Sequence, residues 1–189
     1  MAADGGWTVV AAPYASLPGF GNAGYIRVYD PSGNFINITS PNAEYGSHFG
    51  DSVAVYAFGE TSARVVASAP GETVDGEGRA GRVYPLQIGD TAAGPIVSSW
   101  YELKRPGGSV ENSNFGEVVA TFGSDVLVGA PYDDPDGVQN AGQVYVFSYQ
   151  GGTSWNSYTL SSQNKVLAGW FGYSIAIASE GHFLIGAPF

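Results

Sequence analysis

The 189-residue chain carries seventeen acidic against seven basic residues, a formal net charge of −10 at neutral pH. That balance argues against nucleic acid, which needs a concentrated basic surface, and against anionic lipid surfaces. A hydrophobic content of 44% and an aromatic content of 14% exclude a disordered polymer, and the absence of cysteine excludes disulfides and thiolate metal sites.

No stretch carries apolar residues at helical spacing, and 28 glycines and 11 prolines suit short strands joined by turns. No apolar run reaches membrane-spanning length, so no membrane insertion by this chain is expected. The opening MAADGGW has neither a basic nor an apolar signal region, so no signal peptide is read there.

In chain order, WTVVAAP reads as the end of one strand, followed by YIRVYD (25–30) and the more polar FINIT (35–39). Phe49-Gly50 then introduces SVAVY (52–56), RVVASAP (64–70), RVYPL (82–86) and SSWYELK (98–104). Phe115-Gly116 introduces VVATF (118–122), VLVGAP (126–131), QVYVF (143–147) and WNSYTL (155–160). Phe171-Gly172 introduces SIAIA (174–178) and FLIGAP (183–188).

The pattern is a repeat. Ala-Pro recurs at 12–13, 69–70, 130–131 and 187–188, at spacings of 57, 61 and 57. Ala-Gly recurs at 23–24, 80–81 and 141–142, at the same 57 and 61. Each unit reads as four strands, apolar on both faces at first and polar at the last. That gradient predicts an all-β fold of four-stranded antiparallel blades around an axis, the outermost strand being the edge. Phe49, Phe115 and Phe171 are expected in equivalent buried places, and Ala54, Ala120 and Ala176 where backbones crowd. Pro85 predicts a bulge or an interruption of pairing.

Phe-Gly, a short apolar strand, a strand ending Gly-Ala-Pro and then Gly-x-Val-Tyr-Val resembles the FG-GAP repeat of integrin α-subunit β-propellers. The resemblance spans nearly the whole chain, with landmarks at 7–45, 49–110, 115–168 and 171–189, and is read as a single repeat domain. The first unit reads as lacking its first strand and the last as holding two. Thirteen strands follow, too few for the usual four to eight blades. Self-association, or continuation in a longer chain, is therefore expected.

The resemblance implies calcium in the first-to-second-strand turns of many such repeats. The turns at 57–63, 122–125 and 178–182 hold at most one carboxylate each, with Asp125 and Glu180 among them. A hard cation needs several oxygens at once, so no cofactor is expected there.

The resemblance also implies a non-catalytic extracellular or cell-surface binding module. Its ligand, a protein or a glycan, would approach the long second-to-third and fourth-to-first-strand loops. Those loops offer Tyr14, Glu72, Asp75, Tyr132, Asp133, Asp134 and Asp136. Tyr14 and Tyr132 follow Ala-Pro directly and are read as contact anchors or as lids. The acids are read as metal-site candidates or as solvated turns rich in Asp, Pro and Gly. His48 and His182 stand in turns without a readable nucleophile. Trp7, Trp100, Trp155 and Trp170 are read as blade packing or as sugar platforms. Asn37-Ile38-Thr39 fits the N-glycosylation sequon. A lectin-like propeller and a structural repeat in a large surface assembly are the alternative functions.

Overall fold

A computed structural model describes residues 1–179 and 181–189. The strands are β1 (Ala2–Asp4), β2 (Trp7–Ala12), β3 (Tyr25–Tyr29), β4 (Phe35–Ile38), β5 (Val53–Ala57), β6 (Ser62–Ala69) and β7 (Arg82–Thr91). They continue as β8 (Gly94–Trp100), β9 (Val118–Phe122), β10 (Asp125–Ala130), β11 (Gln143–Gly151), β12 (Ser154–Ser161), β13 (Ser174–Ser179) and β14 (His182–Gly186). One 3-10 turn, Pro135–Gly137, lies between β10 and β11.

Strands pair in sequence order into three four-stranded antiparallel sheets and one two-stranded sheet. The protein is thus all-β, an array of propeller-type blades. First strands are successive neighbours, β1 beside β5, β5 beside β9 and β9 beside β13. The array is open.

The first unit does have a first strand. Ala2–Asp4 pairs with Trp7–Val9, so the described strands number fourteen rather than thirteen. Ala-Ala-Asp has little strand propensity; Asp4 helps to hold it, accepting the Ala57 backbone N–H of the next blade at 2.7 Å.

The fourth strand of the second unit also departs from expectation. β8 runs from Gly94 to Trp100, and only Leu103 of the following segment pairs with Val83. Proline is the cause. Pro85 pairs with Val66 on the β6 side, but it has no N–H to offer. On the β8 side Tyr101 donates to its carbonyl, and the register shifts between Gln87 and Ile88.

Blades pack face to face through apolar layers. Trp7, Val9, Ile26 and Val28 of the first meet Phe49, Val65, Tyr84 and Leu86 of the second. Val66 and Val83 meet Phe115, Val126, Val128 and Tyr145 at the next interface. Leu127, Val144 and Val146 meet Ile175, Phe183 and Ile185 at the last. Fully burying one such side chain contributes about 1.5–3 kcal/mol. Phe49 and Phe115 are fully buried, whereas Phe171 is only half-buried. The sheet behind Phe171 has no third or fourth strand to close over the ring.

The landmark glycines have a packing reason. Gly24, Gly81 and Gly142 lie at φ of 79°, 81° and 82°, and a methyl on any of them would fall on the carbonyl oxygen of the following Phe of Phe-Gly. On Gly50, Gly116 and Gly172 it would stand 2.7, 2.9 and 2.8 Å from a methyl of Ile26, Val83 and Val144, on the third strand of the preceding blade. Ala-Gly and Phe-Gly are the two halves of one close approach between neighbouring blades.

Candidate ligand face

Each second-to-third-strand loop is laced to the fourth-to-first-strand loop that follows it. His48 and Phe49 donate backbone N–H bonds to Asn22 and Ala23. Asn114 and Phe115 do the same to Arg79 and Ala80, and Trp170 and Phe171 to Asn140 and Ala141. Within each loop Gly24, Gly81 or Gly142 donates to Ala15, Glu72 or Asp133. The lacing turns the chain through left-handed conformations at Asn22, Arg79 and Asn140, and again at His48, Asn114 and Trp170. Asparagine tolerates that region, while Arg and Trp are held in it by the hydrogen bonds on either side. The longest loops are therefore a rigid surface at one end of the blades.

The acids of these loops fall into two groups. Glu72 and Asp133 are buried, not solvated, which corrects the reading of a solvated turn for both. Ser40 and Tyr84 donate hydroxyl hydrogen bonds to Glu72, and Arg82 Nη1 donates to it at 3.1 Å. Ser113 donates to Asp133 at 2.6 Å, Tyr145 donates to it as well, and Arg105 Nε donates at 2.8 Å. A buried carboxylate is tolerated only when so fully bonded. Burial nevertheless pushes the Glu72 carboxyl above its usual range, against the pull of Ser40, Tyr84 and Arg82. The Tyr84 and Tyr145 phenols are pushed up too, first by burial and then by the neighbouring carboxylate.

Both latches tie the segment after one blade's outer strands to the next blade. Their parts do not come from matching repeat positions. Ser40 lies nine residues before Phe49, whereas Ser113 lies two before Phe115. Ala15 and Arg27 stand where the first blade would need its carboxylate and tyrosine.

Asp75, Asp134 and Asp136 are exposed. Asp75 takes bonds from Lys104 and Ser109, Asp134 from the Asn140 backbone at 2.7 Å, and Asp136 pairs with Lys165 at 3.2 Å. These seven candidates share an end of the blades but form no single cluster. Among the described residues no group of three or more His, Cys, Asp or Glu is placed to hold a metal ion. Asp125, in an opposite turn, accepts from Ser148 at 2.6 Å. Glu180 lies outside the described residues.

The aromatics after Ala-Pro lie against the residue that precedes Phe-Gly. Tyr14 meets His48 edge-on at 4.9 Å and remains 66% exposed. Tyr132 meets Trp170 at 6.0 Å and is half-buried, while Phe189 meets the same indole at 5.1 Å. His182 lies beside Ser179 at 3.0 Å. Trp7 is buried and donates to the Gly59 carbonyl at 3.2 Å; Trp100 stacks on Phe49. Trp155 shares with Tyr149 and Phe58 the flanks of Arg64. Asn37 is exposed on β4.

A cleft of about 260 Å³ opens between the 104–117 and 131–142 loops. Tyr132, Asp134, Asn112, Gln139 and Asn140 are among its walls. The sequence reading missed Asp51 and Glu117, which directly follow Phe-Gly. Partial burial and then Asp51 push the Glu117 carboxyl up; Asp51, though exposed, is also raised by desolvation against the pull of its neighbours. Their place in two repeats, with Tyr173 in the third, was the available signal.

Three laced loop pairs over four-stranded blades define a β-propeller-type repeat domain. A family model described as FG-GAP repeat matches residues 106–147, from the loop before Phe115 to the end of the Gln-Val-Tyr-Val-Phe run. Residues 106–147 are thus similar to an FG-GAP repeat, in agreement with the resemblance of their motifs. No curated protein matches the chain.

Proposed function

We propose that the chain is a non-catalytic binding module of the integrin-α-like FG-GAP type, acting outside the cell or at its surface. The observation that carries this is the lacing of the long loops, which holds Tyr14, Asp75, Asp134 and the half-buried Tyr132 on one rigid end. Long loops on a fixed scaffold are where binding resides, and rigid loops lose little entropy on binding. A non-enzymatic reading is supported by Glu72 and Asp133, the most buried acids of the face. Both are spent on hydroxyl and guanidinium partners within their own latches. Extracellular placement is supported by the company FG-GAP repeats usually keep.

A protein partner with a basic surface suits the exposed acids, and its binding would weaken as salt rises. A glycan is the second reading, favoured by the amides and the Tyr132 ring in the 260 Å³ cleft. The test is immobilised chain against a panel of extracellular matrix proteins and a glycan array. Tyr132→Ala and Asp134→Ala should abolish the signal found, and Ser124→Ala in an opposite turn should not. The reverse pattern would put the ligand on the other end.

A further inference from the structure

The outward face of the first blade is unlike the inner faces. Its side chains alternate, so Ile26, Val28 and Ile38 turn toward the second blade while Arg27, Tyr29, Phe35 and Asn37 turn away. Arg27 and Asn37 are directly opposed across β3 and β4, as are Tyr29 and Phe35. Arg27 Nε donates to Asn37 Oδ1 at 2.8 Å, and its guanidinium lies 4.1 Å over the Phe35 ring. Tyr29 meets that ring at 5.6 Å. The Asn37 carbonyl is thus held, and the residue is exposed. Phe35 is 51% exposed, and Thr39 is exposed two residues on. The strand period places Phe35 and Asn37 in one row on β4, the outermost strand of the sheet, with Thr39 just beyond its end.

We propose that Asn37 carries an N-linked glycan whose first sugar lies against Phe35, over the outward face of β3 and β4. The proposal rests on the extracellular reading above. The Asn37 amide nitrogen attacks the anomeric carbon of an oligosaccharide carried on a lipid pyrophosphate. The new C–N bond replaces the C–O bond to phosphate, the lipid pyrophosphate leaves, and the amide gives up one proton. The Asn37 carbonyl survives that reaction, so the bond from Arg27 survives too. Arg27 covers one face of Phe35, so the sugar C–H bonds, slightly positive, would meet the other electron-rich face or the exposed rim of the ring. A glycan rooted there covers the free edge of β4, the kind of edge that otherwise recruits another strand.

The experiment expresses the chain behind a secretion leader in eukaryotic cells and reads intact mass and peptide mass on all chain in cells and medium. One glycan on Asn37 is expected, released by an amidase that leaves aspartate in its place. Asn37→Gln and Thr39→Ala should abolish it, and Thr39→Ser should retain it. Tyr158→Thr, which creates a sequon at exposed Asn156 in β12, is the control. Asn156 modified with Asn37 bare overturns the proposal, as does a chain with both bare. A glycosylated chain that binds nothing on the panels overturns the binding reading alone. The glycosylated chain should also melt above the Asn37→Gln chain. That difference should vanish in the Phe35→Ala background; its persistence would remove Phe35 from the proposal.

Discussion

Residues at the same place in the repeat have different surroundings at the closed interface of the third blade and at the open β13–β14 sheet. Leu127 is fully buried under that sheet, while its counterpart Leu184 is 69% exposed. Phe115 is fully buried and Phe171 half-buried; Ala120 packs against the next blade, and Ala176 is exposed. The two sites share the landmark residues Phe-Gly, the alanine of the first strand, and the leucine and Gly-Ala-Pro of the second. A blade face becomes core only when another blade covers it, as in other repeat architectures where each unit buries its neighbour.

The comparison can be broken by paired substitutions measured in urea. Phe115→Ala should cost about 3–5 kcal/mol, the usual range for emptying a buried aromatic site. Phe171→Ala should cost clearly less, and equal losses would mean that the open sheet is as well packed as the closed one. Leu127→Ala should cost about 2–5 kcal/mol, whereas Leu184→Ala should stay within about 0.5 kcal/mol of zero. A large loss at Leu184 would reveal a covering surface in solution.

Ala120→Leu should destabilise by about 1–3 kcal/mol through overpacking. Ala176→Leu meets no following blade and should be close to neutral. A neutral Ala120→Leu would show that the interior first strands are not crowded.

The smallest effect concerns titration. Glu117 is raised above its ordinary 4.5 in the folded state by burial and by Asp51, whereas the third repeat has the exposed Tyr173 in that place. A raised folded value means that the folded chain binds the proton more tightly. Glu117 therefore contributes stability that is complete below about pH 4.5, the unfolded value, and is lost as pH rises through the folded value. Relative to Glu117→Gln, the natural chain should gain stability as pH is lowered from 7 toward 4.5. Parallel pH profiles would show that folding does not raise the Glu117 carboxyl.

Much of this architecture was legible in the one-dimensional pattern. Ala-Gly and Phe-Gly recur because each marks a backbone approach that admits no Cβ, even though the loop before Phe-Gly varies in length. Val-Tyr-Val alternation marks a strand with neighbours on both faces. The pieces that escaped had weak local signals. Ala2–Asp4 is a strand because Trp7–Val9 offers it a ladder and Ala57 donates to Asp4. The displaced fourth strand of the second blade depended on how the chain accommodated the missing N–H of Pro85. Glu117 was overlooked because a carboxylate after a turn ordinarily faces water, whereas here it is half-buried beside Asp51.

By itself, then, the sequence determined the repeat unit, the order of its strands and where small residues must lie, because these rest on backbone sterics and on side-chain alternation within a few residues. Tertiary structure alone decided which carboxylates are buried and which face of each blade is core. Glu72 finds Ser40 thirty-two residues away, and Asp133 finds Ser113 twenty away. Those serines occupy no matching place in the repeat, so no local pattern could have announced them. Burial is a property of what the fold brings alongside, and identical motifs acquire different roles according to whether another blade lies against them.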